Sequence, residues 1–403
     1  MMVVRIFASV ALAASFLVLS ACGGGSGDNS VPVFTPQPTA EPSPTPEPAA
    51  TPAPTPTPEP TAEPTPEPTP EITVTSLSEL ADFPIGVAVA AGGAGNSIIT
   101  STGRQAIVSA HFDQVTAENI MKPAYMHPAE STYSYGQADE LVNYAAANGL
   151  AVHGHTLVWH SQIASWMTNY SGTPAQWQTM MESHITNIVG HFADDDVVVS
   201  WDVVNEAISD SNGALRESVW YENLGEDYLA MAYTAARAAD DDALLFYNDY
   251  NLSGNGTKLT GALAMVQNLL DDDVPIDGIG FQMHVSSGWP TNSDIRGAFQ
   301  RVVDMGLRVK ITELDVTVND NENLTELTLE AEIAQAARYQ QIVEAYRDVV
   351  PAHLRGGVSV WGITDGDSWL PNFKGRDEWG LLFNDNFSPK QALQGVADGL
   401  SSP

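Results

Sequence analysis

Two glutamates stand at the ends of apolar runs in the sequence. Glu206 closes "VVVSWDVVNE" (197–206), and Glu313 lies near the end of "LRVKITELD" (307–315). A carboxylate that is buried without a partner costs several kcal/mol, so each glutamate is either paired or placed in a cleft for chemistry. Only 16 Lys and Arg stand against 50 Asp and Glu, which leaves few basic partners. We therefore expect the two carboxylates to work together, one as a proton donor and the other as a nucleophile or base.

Two carboxylates that face each other across a cleft meet the requirement of glycoside hydrolysis. One protonates the leaving oxygen, and the other attacks or assists at the anomeric carbon. A gap of about 5–5.5 Å gives retention of configuration, whereas about 6.5–9.5 Å leaves room for a water and gives inversion. The sequence does not measure this gap, so the residues alone leave both outcomes open.

Eight short apolar runs alternate with longer stretches that have apolar residues at helical spacing, clearest at 228–239 and 331–349. Such alternation predicts parallel strands joined by right-handed crossovers. Eight repeats over about 325 residues favour an α/β fold of the (β/α)8 TIM barrel type, as a single catalytic domain at 76–403, over an open doubly wound sheet. The runs are 83–90, 111–119, 150–160, 197–206, 243–251, 276–284, 307–315 and 356–365.

In a (β/α)8 barrel the active site lies at the carboxyl ends of the strands. Most of the runs end in polar, titratable or large aromatic side chains, where turn residues would be more usual. We expect these side chains to form one ring around one mouth of the barrel. They are Glu118, Asn119, His155, Trp159, His160, Asn205, Glu206, Tyr247, Asn248, Gln282, His284, Glu313, Asp315, Trp361 and Asp365.

Seven motifs, spread in order over roughly residues 80–395, resemble the xylanases of glycoside hydrolase family 10. They are "AENIMK", "HGHTLVWHSQ", "WDVVNE", "YNDYN", "GFQMH", "ITELD" and "WGITDGDSW". The resemblance implies retaining hydrolysis of internal β-1,4-xylosidic bonds in xylan through a covalent glycosyl-enzyme intermediate. It implies that Glu206 is the acid/base and Glu313 the nucleophile, with no cofactor and no metal.

The resemblance also implies which residues surround the substrate. The non-reducing side of the cleaved bond would be bound by Glu118, Asn119, Lys122, His155, Trp159 and Asn205. Tyr247 and Asn248 would lie on the leaving-group side, and Trp361 and Trp369 would stack on sugar rings. Gln282 and His284 would bind substrate in the cleft and help to hold Glu313, and Asp315 and His160 would lie behind the catalytic pair.

One position departs from the family pattern. Pro123 follows "ENIMK", where the family commonly has a tryptophan. Proline fixes the backbone beside Lys122 and removes a stacking or packing ring. We therefore expect packing and binding strength to be altered on that side of the cleft.

The N-terminal segment has the features of an export signal. Residues 1–21 place Arg5 before an uncharged apolar run, as secretory signal peptides do. "LSAC" resembles a bacterial lipobox, in which the signal is cut before a cysteine that is then lipidated, and Cys22 is the only cysteine. Gly23 suggests delivery to an outer membrane. We expect an exported, outer-membrane-anchored lipoprotein, or otherwise a secreted protein.

Residues 22–71 read as a linker. They are Gly-rich and then Pro/Thr/Glu-rich, with 16 of the chain's 26 prolines, which predicts a semi-rigid spacer. The formal net charge of −34 argues against nucleic acid or an anionic lipid surface as partners, since both need a positive face. We expect a monomer that binds xylan and xylo-oligosaccharides and contacts a membrane only through a lipid on Cys22.

Three other functions fit part of the sequence. A retaining β-1,4-glucanase or cellulase would use the same barrel and carboxylates. A metal-dependent hydrolase would use His153 and His155 of "HGH" with His160 and Asp365, although such barrels are expected to carry the pair after the first strand, not the third. A non-catalytic surface carbohydrate-binding protein would be expected to lack a catalytic glutamate, and both are present.

Overall fold

The computed structural model describes residues 70–402. The predicted signal peptide, the predicted lipidation site at Cys22 and the linker up to residue 69 lie outside the described residues. Where the description begins, the Pro70 carbonyl accepts a hydrogen bond from Gln391 Nε2 at 2.8 Å, and the Thr73 amide donates to Gln394 Oε1 at 2.9 Å. Within 70–402, no helix combines the length and apolar character needed to cross a bilayer.

The strands coincide with the eight apolar runs of the sequence. In the described residues they are β1 Ile85–Val89, β2 Gln114–Ala117, β3 Ala151–Val158, β4 Val198–Asn205, β5 Leu244–Asp249, β6 Gly278–Phe281, β7 His284–Ser286, β8 Arg308–Thr317 and β9 Arg355–Val360. Every residue of β1 and β2 is buried. Burial on both faces is expected when helices cover the outside of a parallel sheet and side chains fill its inside.

The sheet closes on itself. All neighbours are parallel, in the order β1-β2-β3-β4-β5-β6-β8-β9, and β9 returns to β1. In this order β6 pairs with β8, with Gly278 opposite Arg308 and Phe281 opposite Ile311. The predicted (β/α)8 barrel is therefore confirmed, and the alternative of an open doubly wound sheet is wrong.

Helices surround the strands. In the described residues they are α1 Thr102–His111, α2 Pro123–Met126, α3 Gly136–Ala147, α4 Ser165–Thr168, α5 Pro174–Phe192, α6 Val219–Leu224, α7 Tyr228–Ala239, α8 Thr257–Asp271, α9 Asn292–Val303, α10 Leu329–Val349, α11 Leu370–Lys374 and α12 Gln391–Ser401. The two helices predicted from spacing correspond to α7 and α10. The start of α5 is fixed by Pro174 at its first position and by a capping box between Thr173 and Gln176.

The apolar run 276–284 is not one strand, as the sequence pattern predicted. It divides into β6 and the short β7, which pairs with the end of β8. Between them Met283 has a φ of 60°, in the left-handed region. This break redirects the backbone and sets His284 opposite Asp315.

A glycine on β3 helps to align the site. A Cβ atom at Gly154 would lie 2.2 Å from Cε3 of Trp201, so only glycine allows this fully buried tryptophan to pack against the β3 backbone. The packing accompanies a register in which His155 of β3 stands opposite Asp202 of β4.

Candidate active site

A cavity of about 690 Å³ opens at the carboxyl ends of the strands. It brings together twelve of the predicted site residues, which agrees with one ring around one mouth. Their individual roles remain predictions. They are Glu118, Asn119, Lys122, His155, Trp159, Asn205, Glu206, Gln282, His284, Glu313, Trp361 and Trp369.

Glu313 of β8 is held as a carboxylate. It is only 5% exposed, and its Oε1 accepts from Asn248 Nδ2 at 2.8 Å while its Oε2 accepts from His284 Nε2 at 3.2 Å. Burial raises the pKa of Glu313, but the hydrogen bond from His284, with further contributions from His155 and Asn248, holds that pKa below its ordinary value. An ionised carboxylate that faces a cavity is suited to attack an electrophilic carbon.

His284 is the cation behind Glu313. Its Nδ1 donates to Asp315 Oδ2 at 2.9 Å, while its other nitrogen serves Glu313. Burial lowers the pKa of His284, but Asp315 and Glu313 together raise it to about 10. The same Asp315 oxygen accepts from Trp369 Nε1 at 2.9 Å. Asp315 therefore lies behind His284 and joins it to the indole of Trp369.

Glu206 is held differently, directly after β4. Its backbone φ of 57° is in the left-handed region, and its amide donates to the Asn248 carbonyl at 2.8 Å. Its own carbonyl accepts from Arg216 Nε at 2.9 Å. Its Oε1 accepts from the neutral amide of Gln282 at 2.9 Å, and His160 Nδ1 lies 3.8 Å from Oε2. The Glu206 carboxyl is thus bound by a neutral amide, whereas the Glu313 carboxyl is bound by His284.

The last residue of β4, Asn205, joins the two sides of the site. With its oxygen towards Trp159, the Asn205 amide accepts from Trp159 Nε1 at 3.2 Å and donates to the Asn248 carbonyl at 3.1 Å. The Asn248 side chain is fully buried and accepts from Thr312 Oγ1 at 2.7 Å, which directs its nitrogen to Glu313. Asn248 therefore positions the carboxylate from beneath and does not line the cavity.

Lys122 lines the cavity together with Asn119, Trp159 and Gln162. It is 6% exposed, and its Nζ donates to Gln162 Oε1 at 2.7 Å and to Asn119 Oδ1 at 3.3 Å. The same Nζ lies 5.2 Å from the ring centre of Trp159. Burial lowers the pKa of Lys122, while the carboxylates of the site raise it. This wall presents amide and ammonium groups next to an indole ring, a combination that suits a sugar with vicinal hydroxyls.

Pro123 occupies the first position of α2, where a missing amide hydrogen is tolerated. The carbonyl of Lys122 accepts from the amides of Tyr125 and Met126 at 2.9 and 3.0 Å. The proline is buried and so fixes the backbone of Lys122. Its effect on binding remains a prediction.

The family model of glycosyl hydrolase family 10 matches residues 76–399. The chain belongs to this family. It is 47% identical to endo-1,4-beta-xylanase A of Cellvibrio japonicus over 82% of this chain and 57% of that protein, and 43% identical to endo-beta-1,4-xylanase Xyn10C of the same organism over 81% and 58%. It therefore spans little more than half the length of these curated relatives.

A solved structure agrees with this assignment. A mutant of xylanase 10C from Cellvibrio japonicus in complex with xylopentaose superposes with a TM-score of 0.79 at 42% identity, over 81% of this chain and 69% of that chain. The barrel is thus that of a family 10 protein.

His153 and His155 do not form a metal pair in this family 10 barrel. Both lie against the buried Asp202: His155 Nδ1 bonds to Oδ2 at 2.8 Å, and His153 Nε2 lies 3.1 Å from Oδ1. Burial raises the pKa of Asp202, but the two histidines outweigh it and lower the pKa. Within residues 70–402, no group of three or more His, Cys, Asp or Glu could hold a metal ion. Of the two further candidate ligands, Asp365 is paired with Lys390 at 2.9 Å, and His160 Nδ1 lies 3.8 Å from Glu206 Oε2.

Trp361 and Trp369 both line the cavity, as predicted. Trp361 presents its ring edge-on to His155, with 5.5 Å between the ring centres. Trp369 caps the short helix α11 and is fixed by its bond to Asp315. Stacking of either ring on a sugar remains a prediction.

The prediction that Tyr247 contacts the substrate is not supported by its position. Tyr247 is fully buried on β5, and its hydroxyl donates to Asp249 Oδ2 at 2.5 Å. Tyr250, one residue beyond the end of the strand, lines the cavity instead.

Several lining residues were missed by sequence reasoning. Gln162, Tyr250 and Asn251 stand inside the motifs "HGHTLVWHSQ" and "YNDYN", and their polar groups were usable signals. The others lie in β7, at the end of β8, in α11 or in loops, where no periodicity marks an approach to the cleft, although the tryptophan of the polar turn "SSGWPT" was a further signal. The missed residues are Gln162, Tyr250, Asn251, Val285, Ser286, Trp289, Thr317, Asp320, Leu370, Phe373 and Lys374.

Proposed function

We propose that this family 10 protein is a retaining endo-β-1,4-xylanase that hydrolyses internal xylosidic bonds of xylan. The observation that carries the proposal is the asymmetry of two glutamates in one cavity. His284 holds Glu313 as a carboxylate, whereas the side chain of Glu206 is bound by the neutral amide of Gln282. Such a difference separates a nucleophile from a proton donor.

In the first step, Glu206 acts in its protonated form and gives its proton to the glycosidic oxygen. A carboxylate oxygen of Glu313 attacks the anomeric carbon from the opposite face. The bond to the departing sugar breaks as the bond to Glu313 forms, which gives a covalent glycosyl-enzyme with inverted configuration.

In the second step, Glu206 acts as a carboxylate and removes a proton from a water molecule. The water oxygen attacks the anomeric carbon, and the bond to Glu313 breaks. The second inversion restores the original configuration, and Glu206 is again protonated. In the intermediate the bond to the sugar removes the charge of Glu313, which favours the ionised form of Glu206. Glu206 thus gives one proton to the leaving oxygen in the first step and takes one from water in the second.

The relatives support xylan as the substrate. The curated proteins of Cellvibrio japonicus are named endo-1,4-beta-xylanases, and the solved relative holds xylopentaose. The wall around Lys122 and the lining residues Trp361 and Trp369 are also suited to a chain of pyranose rings.

The test is release of reducing sugar by the full chain from glucuronoxylan and from carboxymethylcellulose, each with and without a chelator. We expect rapid release from xylan, little from cellulose, and no effect of the chelator. A fall in viscosity ahead of reducing-end release would identify internal cleavage, and proton NMR of the first products would give their anomeric configuration. Dominant activity on cellulose would favour a glucanase, and binding without cleavage would favour a carbohydrate-binding protein.

Two variants separate the roles of the glutamates. Glu313→Gln should lose activity on every substrate, by about 10,000-fold. Glu206→Gln should lose activity on xylan but release a burst of nitrophenolate from an aryl xylobioside, because a nitrophenolate leaves without being protonated. Turnover after the burst should be slow, because the variant lacks the base that activates water. Glu140→Gln on the exposed surface of α3 is the matched control. Equal behaviour of the two catalytic variants on both substrates would contradict the assigned roles.

We propose further that the chain is exported and tethered through a lipid on Cys22 as a monomer. The lipobox-like "LSAC" and the Pro-rich residues that follow support this. Cells that express the chain should incorporate labelled palmitate into it, and Cys22→Ser should abolish the label and release the protein from membranes. Unlabelled native chain in the soluble fraction would overturn the proposal, and light scattering of the purified protein would test the oligomeric state.

A further inference from the structure

Lys258 carries a buried ammonium group that the mechanism does not use. It is the second residue of α8, is 6% exposed and is not among the residues that line the cavity. Its Nζ lies 2.8 Å from Asp249 Oδ1, 3.0 Å from Asp210 Oδ1 and 3.3 Å from the ring centre of Tyr250. Burial of an ammonium group is unfavourable unless its charge is paired, and here two carboxylates and the face of an aromatic ring surround it.

The partners of Lys258 belong to two segments next to the cavity. Asp249 is the last residue of β5, and its Oδ1 also accepts from the Tyr250 amide at 2.8 Å. The Tyr250 hydroxyl donates to Asp210 Oδ2, in the loop that follows β4. Lys258 therefore joins the end of β5 to the loop on which Glu206 lies.

Arg216 connects this cluster to Glu206. Its Nε donates to the Glu206 carbonyl at 2.9 Å, and its Nη2 donates to the Ile208 carbonyl at 3.2 Å. The backbone of Glu206 needs such support, because a φ of 57° is uncommon for a residue with a side chain. Asp210 Oδ2 lies 3.8 Å from Arg216 Nη2, which is too far for a hydrogen bond. The guanidinium thus binds the backbone of Glu206 and not the nearby carboxylate.

The present partners of Asp210 explain why Arg216 is not drawn to it. Burial raises the pKa of Asp210, but the hydrogen bonds from Tyr250 and Lys258 outweigh burial and lower that pKa. Asp210 is therefore an anion with an ammonium partner. Without Lys258, the cation left beside Asp210 would be Arg216. A guanidinium binds a carboxylate more strongly than a neutral carbonyl, so Arg216 would turn to Asp210 and release Glu206.

We propose that Lys258 is a positioning residue for the acid/base, Glu206. By binding Asp210, it leaves Arg216 to hold the Glu206 backbone. The inference rests on the proposed function, in which Glu206 protonates the leaving oxygen. A displaced acid slows cleavage most when the leaving group is poor, because a good leaving group departs without a proton. Loss of Lys258 should therefore depend on the leaving group, which general damage to the fold would not.

The test compares a poor and a good leaving group on aryl xylobiosides. Lys258→Met should lower kcat/KM about tenfold for the phenyl xylobioside and less than about twofold for the dinitrophenyl xylobioside. Combining it with Asp210→Asn should restore most of the loss, because the uncharged amide no longer attracts Arg216. Lys258→Gln takes its place if the methionine variant does not fold. Arg296→Met is the control, since it removes a surface ion pair with Asp348 away from the cavity lining.

The outcomes distinguish this inference from the proposed function. Equal losses on the two xylobiosides would overturn the inference, as would unchanged rates or a double variant no more active than Lys258→Met. Crystal structures give a readout that does not depend on activity. In Lys258→Met, Arg216 should bond to Asp210, whereas Arg216 still bonded to the Glu206 carbonyl would overturn the inference. If the unmodified chain cleaves neither xylan nor either xylobioside, the proposed function fails, and the crystal structures test the contact by themselves.

Discussion

Replacing His284 with glutamine should move the acidic limb of the activity profile to higher pH. Glutamine can still donate a hydrogen bond to Glu313, but it has no charge. His284 is the first of the groups that lower the pKa of Glu313, against the effect of burial. Without the cation, Glu313 should take up a proton at a higher pH and lose its ability to attack.

The size of the effect follows from the contact. Two unit charges separated by the 3.2 Å between His284 Nε2 and Glu313 Oε2 interact by about 5 kcal/mol at an effective dielectric constant of about 20. Part of this is lost because the retained hydrogen bond and nearby His155 still favour the carboxylate. We expect the acidic limb to rise by about 1–3 pH units, the range usual for a carboxylate that loses a neighbouring cation.

The assay is kcat/KM for an aryl xylobioside from about pH 3 to about pH 9, which spans both limbs of the activity profile. Inactivation by a 2-fluoro xyloside reports the nucleophile alone, and its pH profile should shift by the same amount. His191→Gln, on the outer helix α5, is the matched control. A uniform loss of rate with the acidic limb in place would refute the reasoning.

Stability gives an independent readout. The folded-state pKa of His284 is about 10, above the ordinary value of 6.5, so its protonation stabilises the folded state fully below pH 6.5. That stabilisation is lost as the pH rises through 10. The free energy of unfolding of the native chain should therefore fall over this interval, and that of His284→Gln should fall less. A steeper fall in the variant would contradict the assigned charge.

Three further substitutions test the geometry. Lys122→Met should raise KM for xylan, because the buried Lys122 ammonium faces the cavity. Steady-state kinetics measure this, and an unchanged KM would argue against contact with substrate. Tyr247→Phe should lower the free energy of unfolding by about 1–3 kcal/mol, since buried Asp249 Oδ2 loses the Tyr247 hydroxyl, while KM stays constant. Thermal denaturation measures the stability, and a selective rise in KM would contradict the burial of Tyr247. Arg216→Lys should lower kcat about tenfold with little change in KM, because the Glu206 carbonyl loses the hydrogen bond from the guanidinium. A change confined to KM in steady-state kinetics would show that Arg216 does not position Glu206.

The sequence was informative wherever one strand end carries one functional group. Glu206 and Glu313 close apolar runs, and the carboxyl ends of parallel strands converge in any closed barrel. The structure brings both glutamates to one cavity. Their different environments were only partly predictable, because His284 reaches Glu313 after the break at Met283, which no periodicity indicates.

The error at Tyr247 has a physical origin. Side chains alternate between the faces of a strand, so the motif "YNDYN" offers two sets of positions, and the sequence does not say which set faces inward near a strand end. In the structure Asn248 reaches Glu313, while Tyr247 bonds to Asp249. Tyr250 lies beyond β5, where alternation no longer applies, and it enters the cavity. Trp289 shows the same limit, because the carbonyls of Ser286 and Pro290 beside it accept from Arg338, which is distant in sequence.

The place where the described chain begins affects how the protein could be attached to a solid support. Pro70 is bonded to Gln391, the first residue of α12, and α12 follows β9, so this point lies at the same end of the barrel as the cleft. Ser401, the last residue of α12, lies at the opposite end. Immobilisation through a group placed near Ser401 would leave the cleft open to long polymers. A group placed just before Pro70 would put the support beside the entrance and favour short, soluble fragments.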